Sequence, residues 1–157
     1  MGVSGTGKST VGKLLGDRTG WAFYDADDFH SSANIDKMNR GIPLTDRDRL
    51  PWLEDLQQLI QTTLANNQTA ILACSALKSN YRQILRHNSS EVVFIYLQGD
   101  FQCIQSRIQS RSEHFMNSNL LKSQFDTLEE PENAIIIDVS LAPEAIVEEI
   151  LQAIYSK

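Results

Sequence analysis

Nine residues near the start of the chain, Gly2-Val3-Ser4-Gly5-Thr6-Gly7-Lys8-Ser9-Thr10, constrain it more than any other feature. They satisfy G-x-x-x-x-G-K-[ST], in which glycines let backbone N–H groups wrap the phosphates of a nucleotide. In that pattern Lys8 reaches the β- and γ-phosphates and the Ser9 hydroxyl ligates Mg²⁺. A helix beginning near Ser9 adds the positive end of its dipole. Nucleotide binding is therefore the first expectation. Such a loop normally follows a buried strand, yet only Met1 precedes Gly2. Either the sequence begins late, inside a longer protein, or a central strand is absent; the first is expected.

The 157 residues suit one domain and are too few for two of ordinary size. No apolar run is long enough to span a bilayer, so no membrane partner is expected. The net charge of −6 argues against a nucleic-acid partner held by bulk electrostatics. Cys74 and Cys103 lack metal-type spacing and read as reduced thiols of a cytoplasmic protein.

Hydrophobic spacing predicts helices over residues 9–18, 48–66 and 79–87, one capped by Asp100, and a last one opened by Pro143. Short apolar runs at 22–24, 69–74, 92–97 and 134–139 read as strands. Residues 112–133 are polar and show little regular β pattern. Short strands separated by helices mean an α/β fold with a parallel sheet covered on both faces.

Ligands of an open parallel sheet bind beyond the carboxyl ends of its strands. Asp25-Ala26-Asp27-Asp28 stands at such an end. One carboxylate could order Mg²⁺-bound water while another accepts a proton from a substrate hydroxyl. Asp25 and Asp27 are the candidates, Asp25 acting on the metal through water. No acidic residue ends the 69–74 strand, where many phosphate-loop proteins place a second Mg²⁺ carboxylate. Lys78 and Arg82, four apart, share a helix face that suits a phosphate or a substrate carboxylate; solvated charge is the competing reading. Arg107 and Arg111, also four apart, could place cations on developing γ-phosphate charge beside a lid at about 112–122. Compensation of a helix C-terminus is the alternative. His30 and His114 lack zinc-type spacing and read as substrate-loop and lid residues.

Taken together, the motifs resemble the small gluconokinases of the phosphate-loop kinase superfamily. The resemblance rests on residues 1–10 (MGVSGTGKST), 23–30 (FYDADDFH), 33–38 (ANIDKM) and 41–52 (GIPLTDRDRLPW). It continues through 73–78 (ACSALK) with Tyr81-Arg82, 94–101 (FIYLQGDF), His114-Phe115-Met116 and 123–131 (SQFDTLEEP). It implies one kinase domain over 1–157, a three-layer parallel sheet of the nucleoside-monophosphate-kinase type with a lid, and a homodimer. The implied reaction is ATP-dependent phosphorylation of D-gluconate at its 6-hydroxyl, with Mg²⁺. The implied roles are phosphate binding by residues 2–10 and Arg107, and catalysis by Lys8, Asp27 and Arg111. The implied substrate contacts are Asp27, His30, Arg49, Lys78, Arg82 and His114. The chain departs from the family pattern at Glu113, which replaces a glycine before His-Phe-Met, and in the missing strand. A kinase of another small polar acceptor such as shikimate, or a non-catalytic nucleotide-binding isoform, are the rival readings.

Overall fold

In the computed structural model, which describes residues 1–110 and 118–156, helices and short parallel strands alternate. The order is α1 (Lys8–Thr19), β1 (Ala22–Asp25), a 3₁₀ turn (Ala26–Phe29), α2 (Ser32–Asn39), α3 (Asp46–Ala65) and β2 (Ala70–Ala73). There follow α4 (Ser79–Arg86), β3 (Ile95–Gln98), α5 (Phe101–Ser110), α6 (Ser118–Thr127), β4 (Ile135–Asp138) and α7 (Pro143–Tyr155). Each expected strand and helix is present with boundaries shifted by a few residues. The segment that carried no secondary-structure expectation after the 3₁₀ turn contains α2, and α6 starts within the expected lid and runs beyond it. Arg111, Glu113 and His114 lie outside the described residues, as does the expected lid up to residue 117.

β1 pairs with β2 and β3 with β4, both parallel, Asp25 opposite Ala73 and Gln98 opposite Asp138. Between the two pairs runs the backbone of Met1 and Gly2. Met1 donates to the Ile95 carbonyl (2.5 Å) and accepts from Leu97 N–H (3.0 Å), while Gly2 N–H donates to the Ser75 carbonyl (3.1 Å). The spatial order is thus β1-β2, Met1, β3-β4. On the far side of Met1 a cavity of about 470 Å³ opens between β2 and β3, lined by Leu59, Leu72, Cys74 and Phe94 among others.

Alternate residues of the strands feed two cores, as pleating requires. Ile71, Ile95, Leu97 and Ile137 join α1, α5, α6 and α7 around Ile104, Leu121, Val147 and Ile150. Leu72 and Phe94 face the other way, into Trp52, Leu53, Leu56 and Leu85 of α3 and α4. Helices therefore cover both faces, and the strand ends converge on one edge. The start of α3 is fixed by a capping box, in which Thr45 and Asp48 satisfy each other's backbone N–H groups. That box sets α3 two residues earlier than hydrophobic spacing alone indicates, and it sets the place of the side chains from Asp46 to Trp52.

Candidate active site

The loop of residues 2–7 turns from the Met1 backbone into α1. Gly7 caps that helix at φ 90°, a left-handed conformation that disfavours any side chain. Gly5, at φ 82°, lies so close to α5 that a Cβ would come within 2.8 Å of Ile108. Thr6, 1% exposed, donates its hydroxyl to the Val3 carbonyl at 3.0 Å and pins the loop from inside. Lys8 Nζ donates to the same carbonyl at 2.8 Å. Burial pushes its ammonium below the ordinary lysine value, opposed by Asp27, Cys74 and Asp25. A cation bonded to a carbonyl at the mouth of such a loop is suited to an incoming phosphate.

At the end of β1, Asp25 Oδ2 accepts from Ser9 Oγ at 2.5 Å and Oδ1 from Asp27 N–H at 3.0 Å. The carboxyl of Asp27 is solvent-accessible, yet it is held above the usual carboxylate value. The cause is first partial desolvation by the protein around it, then the neighbouring charge of Asp25, with Lys8 pulling the other way. Asp25 is thus occupied by Ser9 and the turn, whereas Asp27 is an exposed residue beside it.

The other wall comes from the 3₁₀ turn, α2 and α3. His30 stacks on Trp52 (centroids 4.4 Å apart, 11° between planes), and Trp52 donates to the Ala26 carbonyl at 2.7 Å. Burial, then the charge of Arg49, lowers His30 to about 4, so its imidazole is neutral near pH 7. Buried Asn34 donates to the Asp48 carbonyl at 2.9 Å, beside the His30 ring.

Arg49 and Lys78 lie 5.7 and 5.6 Å from the ring centre of Tyr81. Lys78 donates to Asp46 at 2.8 Å, and the Tyr81 hydroxyl donates to the same carboxylate oxygen. Those two bonds hold Asp46 below the ordinary carboxylate value. One cation and a hydroxyl therefore meet on one exposed carboxylate, with Arg49 beside them over the Tyr81 ring, an arrangement able to receive another carboxylate. Arg82 is placed differently from its neighbour. Only 8% exposed, it donates Nη1 to the carbonyls of Ala76 (2.9 Å) and Leu77 (3.1 Å), supporting a loop in which Ala76 has φ 44°. Arg107 donates to the Val139 carbonyl at the end of β4.

The structure thus brings residues 2–10, Asp25, Asp27, His30, Arg49 and Lys78 to one edge of the sheet. Sequence reasoning passed over Asp46, Tyr81, Trp52 and Asn34 as site residues, although all four stand in the segments that carry the resemblance. Their partners lie 14 to 35 residues away along the chain. Among the described residues no cluster of three or more His, Cys, Asp or Glu side chains gathers as a metal site. The hydroxyl of Ser9 and the carboxylate of Asp25 are nonetheless hard oxygen donors of the kind Mg²⁺ takes when phosphates and water complete its shell.

Comparison with known proteins agrees with this picture. The family model described as shikimate kinase matches residues 4–155. A gluconokinase of Arabidopsis thaliana is 47% identical, over 98% of this chain and 89% of its own length. A thermosensitive gluconokinase of Escherichia coli is 44% identical, over 98% of this chain and 84% of its own. Among solved structures, a gluconokinase from Sinorhizobium meliloti superposes with a TM-score of 0.90 at 39% identity, covering 99% of this chain and 89% of the other.

Proposed function

The chain belongs to the shikimate kinase family, and on that premise we propose that it is a gluconokinase. It transfers the γ-phosphoryl group of ATP to the 6-hydroxyl of D-gluconate, giving 6-phospho-D-gluconate and ADP. The observation that carries the reading is the likeness, 47% and 44% identical over 98% of this chain, to proteins named gluconokinase. The site supports it, because a sugar acid needs cations for its carboxylate beside a phosphate loop, and Lys78 and Arg49 lie on the same edge of the sheet as residues 2–10.

Residues 1–157 act as one kinase domain in this reading. Residues 2–10 hold the phosphates, with Lys8 on developing γ-phosphate charge. Arg107, at the edge of β4, borders the nucleotide. Mg²⁺ would be held by Ser9 and, through water, by Asp25; when bound it neutralises phosphate charge. Asp27 orients the attacking hydroxyl and accepts its proton, a task for which a raised pKa is an advantage. Lys78 and Arg49 receive the gluconate carboxylate, Lys78 exchanging Asp46 for it. His30 offers neutral imidazole to the polyol. Arg82 serves the substrate indirectly, through the loop it supports. Arg111 and His114 keep the roles that the family pattern implies, cation on the transferred group and substrate contact from the lid. Catalysis of this kind is positioning and charge neutralisation. We further propose a cytoplasmic homodimer. No helix among the described residues is long and apolar enough to cross a membrane.

A coupled ADP-release assay with gluconate, shikimate and nucleoside monophosphates tests the reading. Gluconate-dependent turnover well above the others is expected. Preference for shikimate would overturn it.

A further inference from the structure

The segment 123–131 (SQFDTLEEP) has no part in the reaction just described, yet it touches both halves of the site. Gln124, in the last turns of α6, accepts from Ser4 N–H through Oε1 (2.7 Å) and donates through Nε2 to Ser4 Oγ (3.0 Å). Both groups of one amide are thus spent on one residue of the phosphate loop. Five residues on, Glu129 N–H donates to the Leu77 carbonyl (2.9 Å), and Glu129 Oε2 accepts from Ser79 N–H (2.6 Å).

The second contact fills a role that the chain leaves open locally. Ser79 begins α4, and Lys78, its N-cap, provides no side-chain cap. A carboxylate on the first N–H of a helix satisfies an orphan donor and complements the dipole. Glu129 is therefore the cap of α4, supplied from 50 residues away, and what it fixes is the position of Lys78. The stretch joining Gln124 to Glu129 is itself firm. Leu128 N–H closes back on the Gln124 carbonyl (2.9 Å), Phe125 meets Phe101 edge-on at 5.5 Å, and Leu121 is 1% exposed.

The phosphate loop and the 75–79 loop are also joined directly, by Gly2 N–H to the Ser75 carbonyl (3.1 Å). A single tie leaves a pivot; a second tie, at a distance from the first, fixes the angle. Phosphoryl transfer depends on in-line geometry, and a misplacement of about 1 Å costs on the order of 10²-fold in rate. We propose that Gln124 and Glu129 are positioning residues that lock the phosphate loop and the acceptor-binding loop at one mutual angle through the end of α6. The inference rests on the gluconokinase reading for the acceptor role of Lys78.

If the two residues form one tie in series, breaking either end releases it and breaking both adds nothing. Gln124→Met and Glu129→Ala should each lower kcat about tenfold, more than either KM rises, and the double variant should be no slower than the worse single one. Glu129→Gln, which keeps an acceptor for Ser79 N–H, should restore kcat to within about twofold of the parent. Losses that multiply in the double variant, or an unchanged kcat in the singles, would overturn the proposal. Should Glu129→Ala not fold, Glu129→Asp, too short to reach Ser79, takes its place in the same cycle.

Amide hydrogen exchange supplies an arm that needs no substrate. Each single variant should accelerate exchange at both Ser4 and Ser79. Acceleration confined to the partner that lost its bond would mean two separate props and would sink the tie. If the parent protein does not phosphorylate gluconate, the functional reading fails while the exchange result still decides the tie.

Discussion

Asp27 and Lys8 show how a site departs from what stability favours. Lys8 is held below its ordinary pKa by burial, and Asp27 above its own by desolvation and by Asp25. A carboxyl whose folded pKa is raised favours the native state when protonated and disfavours it once pH exceeds its unfolded value near 3.8. Near pH 7, then, ionised Asp27 costs stability. Asp27→Asn should raise the melting temperature at neutral pH while nearly abolishing gluconate-dependent turnover with ATP binding kept, read by calorimetry and the coupled assay. In the parent enzyme kcat/KM should fall with acidification at a pH above 3.8, as the base is protonated. Lys8→Ala removes the cation nearest the transferred group and should lower kcat by about 10²-fold or more. Near-native turnover would mean that the loop does not work on the γ-phosphate.

At the scale of elements, the start of α3 positions three side chains of the candidate site. Asp46, Arg49 and Trp52 all depend on where the helix begins, and the Thr45–Asp48 box decides that. Lys37 adds to it, donating to both Asp48 oxygens at 2.9 Å and tying α2 to the same turn. With Thr45 and Lys37 on it, the Asp48 carboxyl is held down to about 2, so the box persists through mild acid. Thr45→Ala should cost about 1 kcal/mol of stability. Because fraying displaces Arg49, the gluconate KM should rise more than the ATP KM. Equal changes in both would place Arg49 outside the acceptor subsite.

Across the whole molecule, the sheet is two parallel pairs bridged by one residue, with a cavity of about 470 Å³ continuing the gap. Met1 takes up Ile95 and Leu97 on the β3 edge and Gly2 bonds the Ser75 carbonyl just past β2, and the slot behind Met1 runs on in the direction of one more parallel strand. A stretch of about five Val, Ile or Leu residues joined ahead of Met1 would fill the slot, each contributing roughly 1.5–3 kcal/mol on burial before ordering entropy is subtracted. The melting temperature should rise by about 10 °C or more. ATP affinity should rise with it, because Gly2 would be anchored from behind. Identical melting and identical kinase activity with and without the extension would show that the Met1 bridge suffices.

Features whose cause lies within a few residues were legible in the sequence. The phosphate loop, the Asp25–Asp27 turn and the four strands follow from glycine torsions, local hydrogen bonds and apolar runs that neighbours along the chain already determine. The strands' order, with Met1 between the pairs, was not, since register depends on which runs meet in space. Arg82 and Lys78 look alike in sequence, four apart on one helix face. Folding puts one guanidinium under the 76–77 loop and leaves the other cation on Asp46, because only burial distinguishes a structural charge from an available one. Gln124 meets Ser4 across 120 residues, and a polar side chain on a helix carries no local mark of the distant backbone it will bond. Local chemistry determined that this chain would hold a phosphate. The meeting of Asp46, Lys78 and Tyr81, and the Gln124 contact with the loop, are products of long-range packing and exist only in the fold.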